Sequence, residues 1–151
     1  MKFTEKTYTN QVTSFCYTII NLMLAGAYLV EYLKGARSLG YILVVAAFTF
    51  LPSITVWVLY KRNKESKAIQ HVMGICYSCF YLFIIFTTTS QLAFVYAFPM
   101  YMVITLFCDT LYSLEISAGA TIGNIVAMIY FANKGMEMSS ADMTIRIAAV
   151  V

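Results

Sequence analysis

The 41 residues from Ala68 to Cys108, AIQHVMGICYSCFYLFIIFTTTSQLAFVYAFPMYMVITLFC, contain no Asp, Glu, Lys or Arg, and this run decides the fold class. A helix needs ~20 mostly apolar residues to cross the hydrocarbon core of a bilayer, so the run is long enough for two spans. Its centre carries a polar break, TTTSQ at Thr87–Gln91, where we expect the chain to turn. The run therefore predicts two consecutive transmembrane helices.

Three more uncharged runs lie outside this stretch, and each is long enough for one span. They are Thr7–Val30 with 24 residues, Ser38–Tyr60 with 23 and Ile116–Asn133 with 18. The composition agrees, because 61% of the residues are hydrophobic and only 11% are charged, whereas a soluble domain usually carries about 25% charged residues. This number of charges is too small to cover a water-facing surface. We therefore expect an integral membrane protein whose main partner is the lipid bilayer.

We therefore predict an all-α fold, a polytopic transmembrane helix bundle with five full spans and the start of a sixth. The predicted spans are Val12–Leu33, Leu39–Tyr60, Ile69–Phe86, Leu92–Phe107 and Leu114–Phe131. The nine residues Met143–Val151, most of them apolar, are too few to cross a bilayer. We interpret them as the opening of helix six, and residues 1–151 as one membrane-embedded region, a fragment without a soluble domain.

The orientation follows from the positions of Lys and Arg, which are enriched in cytoplasmic loops. The loop Lys61–Lys67 has four cations and one acid, the strongest such signal in the chain. Placing it in the cytoplasm also places the N-terminus there and puts Lys34, Arg37 and Lys134 outside. We thus expect a multi-pass protein with a cytoplasmic N-terminus.

Two helices carry polar residues at a depth where such side chains are expensive and usually face protein or a water-filled cavity. The stripe on helix one is Tyr17 or Thr18, Asn21, Ala25 and Tyr28, and the stripe on helix five is Ser117, Ala120, Thr121 and Asn124. One interpretation is a polar ligand pocket that uses Asn21, Tyr28 and Asn124. The other is hydrogen-bonded packing between helices without any ligand.

The segment around Pro99 is rich in Tyr and Met and offers further candidate residues. Tyr96 and Tyr101 could line an adaptable pocket for a small apolar ligand, and the alternative is a packed core or an interfacial aromatic belt. Pro99 and Pro52 lie inside predicted helices, where proline removes a backbone donor and clashes with the preceding turn. We therefore predict a kink at each proline.

Small residues on helix five predict close helix packing. Gly119 and Gly123 form a Gly-x-x-x-Gly pattern that Ala127 extends, and such faces let two backbones approach closely. Packing within the bundle is favoured over homodimerisation.

The pair Cys76-x-x-Cys79 has the spacing of two metal ligands, but no other Cys or His has the spacing that would complete a metal site. We expect no metal, no cofactor, no catalytic residues and no nucleic-acid binding.

Extended local similarity connects the chain to one family. The stretches that carry it are YKRNKESK at Tyr60–Lys67, TTTSQLAFVYAFPMY at Thr87–Tyr101, YSLEIS at Tyr112–Ser117 and Gly119–Asn124. In these the chain, from about Val12 to Val151, resembles the multi-span N-terminal membrane region of methyl-accepting chemotaxis proteins of Firmicutes. The resemblance implies a sensory input region in a bacterial plasma membrane and a homo-oligomer in the full-length protein. Kinase and adaptor contacts would be made by a cytoplasmic region beyond Val151.

Two other functions fit the same pattern. One is a small transporter or channel subunit, which typically has broken helices and charged residues deep in its spans. The other is the membrane input domain of a sensor kinase or a cyclic-dinucleotide enzyme, which fold and composition cannot separate from a chemoreceptor. Long heptad repeats with Glu-Glu or Gln-Glu pairs in the reading frame after Val151 would favour the chemoreceptor.

Overall fold

The computed structural model describes residues 5–88 and 91–135, and in these ranges all regular secondary structure is helical, which confirms the all-α prediction. The α-helices are α1 (Glu5–Leu33), α2 (Leu39–Arg62), α3 (Ala68–Thr87), α4 (Ala97–Thr105) and α5 (Thr110–Asn133). Backbone contacts divide the chain into two compact units, Met1–Tyr77 and Ser78–Val151. Helix α3 runs from the first unit into the second.

Four of the described helices, α1, α2, α3 and α5, are long and apolar enough to cross a membrane. They correspond to predicted helices one, two, three and five. Helix α1 begins at Glu5 rather than Val12, and α5 begins at Thr110 rather than Leu114. The α5 start has a local cause, because the Asp109 side chain accepts a hydrogen bond at 3.1 Å from the Tyr112 backbone N–H and so caps the helix.

The structure differs from the prediction at the fourth helix, which the sequence predicts as one continuous span over Leu92–Phe107. The chain instead forms a 3-10 helix, Gln91–Tyr96, followed by the nine-residue α4. Pro99 explains the change, because its ring clashes with the carbonyl four residues earlier and it has no N–H. It is the third residue of α4, in the first turn, where backbone N–H groups have no intrahelical partner anyway. Pro99 therefore lies at the start of a helix and does not kink a longer one.

Pro52, by contrast, lies inside α2, and the helix continues through it from Leu39 to Arg62. Hydroxyl groups bond to backbone carbonyls beside it. Ser53 Oγ donates to the Thr49 carbonyl at 2.7 Å, and Thr49 Oγ1 donates to the Val45 carbonyl at 3.0 Å. Such bonds help membrane helices tolerate proline. The kink at Pro52 stays a prediction, and the start of helix six at Met143–Val151 lies outside the described residues.

Helix α1 buries mostly polar side chains and exposes apolar ones, the reverse of a helix in a soluble protein. On α1, Thr13 and Ser14 are completely buried, whereas Leu22 and Met23 are 61% and 70% exposed. Water would penalise this arrangement, because each exposed apolar side chain forfeits the free energy of burial. In a bilayer the surrounding acyl chains are as apolar as leucine, so the same arrangement is stable.

Candidate functional site

In the first unit, α1 and α2 form an antiparallel hairpin with a polar seam. Contacts across it pair Gln11 with Tyr60, Asn21 with Ser53, and Tyr28 with Tyr41. The buried seam residues of α1 recur every three or four positions, so they share one helix face. They are Thr7, Asn10, Ser14, Tyr17, Asn21 and Tyr28.

Asn21 lies in the middle of this seam, and its hydrogen bonds stay within the hairpin. Its Nδ2 donates to Ser53 Oγ at 3.0 Å, and Ser53 donates onward to the Thr49 carbonyl. Asn21 is only 3% exposed. One turn away along the seam, the indole N–H of Trp57 donates to Thr18 Oγ1 at 2.9 Å. These contacts join α1 to α2, and the role of Asn21 in ligand binding stays a prediction.

Tyr28 is buried near the turn that joins α1 to α2. The centre of its ring lies 5.8 Å from the centre of the Tyr41 ring. The Arg37 guanidinium carbon in turn lies 4.6 Å from the centre of the Tyr41 ring. Arg37 Nε also lies 3.2 Å from a carboxylate oxygen of Glu31. Tyr28 therefore supports an ordered turn.

At the other end of the hairpin, Asn10 holds the basic loop that follows α2. Its Nδ2 donates to the Lys64 carbonyl at 2.8 Å and to the Ser66 carbonyl at 3.3 Å. Thr7 Oγ1 lies 3.4 Å from a carboxylate oxygen of Glu65. Asn10 is not among the residues that the sequence predicts for a site. The available signal was that Asn10 shares the three-and-four spacing of Asn21 and Tyr28.

In the second unit, Asn124 is the central buried polar residue, with 1% of its surface exposed. Its Nδ2 donates to the hydroxyl of Tyr81 on α3 and, at 2.9 Å, to the Ala120 carbonyl of α5. Because a carbonyl only accepts hydrogen bonds, the Ala120 contact fixes which side of the amide is the NH2 group. The Asn124 Oδ1 atom is buried and has no hydrogen-bond partner among the described residues.

Gly123 packs as the small-residue pattern predicts, and Gly119 does not. A Cβ atom on Gly123 would lie 2.6 Å from Leu82 Cδ2, so the side chain of Leu82 occupies the space above this glycine. Ala127 is fully buried on the same face. Gly119 is exposed, and a Cβ there would meet nothing within 4 Å. The expectation that Gly119 also faces a neighbouring helix closely is not met by the described part of the chain, since α5 turns this residue outward.

The two candidate tyrosines near α4 are half-buried. Tyr101 makes a side-chain hydrogen bond with Ser117 on α5. Tyr96 is the last residue of the 3-10 helix and directly precedes α4. Ser78 Oγ lies 3.7 Å from the sulfur of Met100, which links α3 to α4. Polar contacts therefore connect α3, α4 and α5 in the second unit.

The five predicted ligand residues thus fall into two groups, one in each unit. Asn21 and Tyr28 belong to the hairpin seam, and Tyr96, Tyr101 and Asn124 belong to the second unit. The sequence does not predict two of their partners, Ser53 and Tyr81. A hydroxyl-bearing residue within an apolar helix carries no signal that distinguishes a hydrogen-bond partner from an ordinary packing residue.

In the ranges that the structure describes, every buried polar side chain is uncharged, and no group of three His, Cys, Asp or Glu could hold a metal ion. Neither Cys76 nor Cys79 forms a disulfide bond in the described part of the chain. No protein-family model matches the chain, and comparison with curated proteins and with solved structures finds no match.

Proposed function

We propose that this chain is the membrane-embedded sensory input region of a bacterial chemoreceptor-type protein, inserted in the plasma membrane as a multi-pass helix bundle. The observation that carries the proposal is the buried amide of Asn124, which links α5 to α3 and leaves Oδ1 without a partner. The family resemblance of Thr87–Tyr101 and Tyr112–Ser117 supplies the class of receptor.

The energy associated with the Asn124 amide is of the size that signalling requires. A buried acceptor without a donor costs about 1–3 kcal/mol, and coupling between two sites in allosteric proteins is typically about 1–3 kcal/mol. A stimulus that offers a donor to Oδ1, or a shift of α3 that does so, would favour one packing of the second unit over another. A ligand acts on such an equilibrium through its different affinities for the two states.

The uncharged character of the buried seams supports an input region over an ion-coupled transporter. Transporters bind their ions and substrates at mid-membrane sites that often contain ionisable residues. The seams around Asn21 and Asn124 consist of amide, hydroxyl and carbonyl groups. Such groups change partners without transferring charge, which suits a change in helix packing.

The segment Gln91–Thr105 is proposed as a further span, although its α-helical part is short. A 3-10 helix rises ~2.0 Å per residue and an α-helix ~1.5 Å, so the two pieces together extend about 25 Å. The hydrocarbon core is ~30 Å thick. The N-terminus and the basic loop at Lys61–Lys67 are separated by two spans and so lie on the same side of the membrane, which the four cations of the loop favour as the cytoplasm.

Alkaline-phosphatase fusions test this topology, because the enzyme is active only outside the cytoplasm. A fusion at Gly35, in the α1–α2 turn, should be active, and a fusion at Ser66 should be silent. Matched blots would show that both fusions accumulate. Activity at Ser66 together with silence at Gly35 would reverse the orientation.

A chimera tests the sensory role itself. Residues 1–151 would replace the membrane input region of a methyl-accepting chemoreceptor, and kinase activity would be measured in isolated membranes. We expect basal activity that Asn124→Leu shifts several-fold, whereas Gly119→Leu, on an open face of the same helix, leaves it unchanged. A membrane-inserted chimera whose activity responds to neither substitution nor to any tested stimulus would contradict the proposal.

A further inference from the structure

We propose that the hairpin of the first unit binds one acyl chain of an anionic phospholipid in an open groove between α1 and α2. The groove has a volume of about 430 Å³ and lies between Leu22 and Leu29 of α1 and Ile42 and Phe50 of α2. Its volume falls in the range of about 300–1,000 Å³ that is typical of ligand pockets. This inference rests on the proposed membrane insertion and goes beyond the proposed sensory role.

The lining of the groove selects a hydrocarbon occupant. Every lining side chain is apolar, so nothing in the groove can bond a polar ligand. Gly26 and Ala46 form part of the lining, and a Cβ on Gly26 would meet nothing within 4 Å. Small residues flanked by the larger Leu22 and Phe50 leave a channel that a flexible acyl chain can fill.

The length of the groove also fits an acyl chain of one leaflet. From Leu22 to Leu29 the helix rises about 10 Å at ~1.5 Å per residue. Half of a ~30 Å hydrocarbon core is ~15 Å. The groove therefore covers most of one leaflet, on the side of the α1–α2 turn. If a membrane-spanning helix occupied the groove, it would extend well beyond it, so the length of the groove fits an acyl chain better than a helix.

The charges at the end of the groove explain the choice of an anionic lipid. The turn holds Lys34 and Arg37, with Glu31 as the one acid, so the formal charge is one positive unit. Gly35, with a φ of 73°, ends α1 and brings the two cations to the same end of the hairpin. A phosphodiester carries one negative charge, which complements this turn. Each Lys or Arg near a membrane surface contributes about 1 kcal/mol toward anionic lipid.

Native mass spectrometry of the detergent-solubilised chain, incubated with equal amounts of dioleoyl-phosphatidylglycerol and dioleoyl-phosphatidylcholine, tests the proposal. We expect the wild type to retain one phosphatidylglycerol. Gly26→Leu fills the groove, and because each buried methylene contributes a factor of roughly four in affinity, losing two of them lowers retention by about tenfold or more. Lys34→Gln should lower the preference for phosphatidylglycerol by about fivefold.

Gly119→Leu is the matched control, because this glycine is also helical, exposed and open around its Cβ position. It should retain lipid like the wild type. Gly26→Ala adds a single methyl group and should lower retention by a smaller factor, which keeps the test informative if the leucine variant folds poorly. Thermal melts of all variants check the fold.

Three outcomes would overturn the proposal. The first is unchanged lipid retention in Gly26→Leu. The second is an equal loss in Gly119→Leu. The third is a wild-type dimer without lipid that Gly26→Leu converts to a monomer, which would assign the groove to a second copy of the chain. A silent chemoreceptor chimera that still retains lipid would contradict only the sensory role.

Discussion

In the first unit, α1 and α2 bury polar side chains along the whole of their contact, whereas in the second unit the buried polar contacts concentrate around Asn124. The seam of the first unit joins Asn10 to loop carbonyls and Asn21 to Ser53. In the second unit one amide joins two helices and leaves an acceptor unpaired. Both units bury a similar chemistry, and they differ in their buried asparagines: among the described residues, Asn124 is the one whose amide oxygen has no hydrogen-bond partner.

Under the proposed function, this difference would separate a structural role from a switching role. A buried amide that is hydrogen-bonded across two helices, as Asn21 is to Ser53, has little to gain from rearrangement, because a shift breaks a bond worth about 0.6 kcal/mol on average in membrane proteins. An unpaired buried acceptor makes the present packing less favourable than an alternative that satisfies it. If the proposed function is correct, we expect Asn21 to contribute to the stability of the hairpin and Asn124 to the response of the second unit.

The largest expected effect is on the tight packing of the second unit. Gly123→Leu would place a side chain where Leu82 already lies, with the first added atom 2.6 Å from Leu82 Cδ2. Overpacking of a close-packed interior costs about 1–3 kcal/mol. We expect a lower midpoint in a thermal melt of the purified protein in detergent.

Gly119→Leu provides the control on the same helix, because nothing lies within 4 Å of its Cβ position. Its melt should match that of the wild type. Leu82→Ala should restore much of the stability of Gly123→Leu by removing the clash. An unshifted melt for Gly123→Leu would show that this face of α5 is not closely packed.

The next effect, in the hairpin, concerns the loop that Asn10 holds. Asn10→Ala removes donors from the Lys64 and Ser66 carbonyls, and with a net contribution of about 0.5–1.5 kcal/mol per hydrogen bond we expect a loss of about 1–2 kcal/mol. The freed loop should be cleaved faster by trypsin, since it contains four cations. Asn133→Ala, at the exposed end of α5, should change neither measurement.

The sequence predicted the long helices well because their signal is simple. An uncharged run of sufficient length has few alternatives to a span, and α2 and α3 match their predicted bounds within two residues at either end. The starts of α1 and α5 were missed because polar first turns interrupt the apolar pattern. Asp109, a preferred capping residue, was an available signal for the start of α5.

The interrupted fourth helix and the site partners were harder to predict. Proline disfavours an α-helix at the preceding turn, but whether the chain kinks or begins a new helix at Pro99 depends on tertiary packing. Asn21 and Asn124 stood out because asparagine is rare at such depth. Ser53 and Tyr81 did not, since hydroxyl groups in membrane helices commonly bond their own backbone, and only the packed structure shows that these two accept from asparagine.

A smaller effect is expected at the seam of the first unit. Asn21→Leu replaces the amide by an apolar side chain of similar size and removes the bond to Ser53. We expect a loss of about 0.6 kcal/mol and at most about 1.7 kcal/mol, the mean and the maximum for such bonds between membrane helices. A double-mutant cycle with Ser53→Ala isolates the pair, and a coupling energy of zero would show that the contact does not hold the hairpin together.

The smallest effect on stability is expected at Asn124, although this residue is the more deeply buried of the two. Asn124→Leu breaks the bond to Tyr81, which costs about 0.6 kcal/mol on average, but it also removes a buried acceptor whose lack of a partner costs about 1–3 kcal/mol. The two terms oppose each other, so the melting midpoint should stay near the wild-type value or rise. The same substitution should still shift the kinase activity of the chemoreceptor chimera, because it removes the group that distinguishes the two packings. If Asn124→Leu instead destabilises the protein as much as Asn21→Leu does, Oδ1 is satisfied in the folded protein, and the Asn124 amide does not differ from that of Asn21.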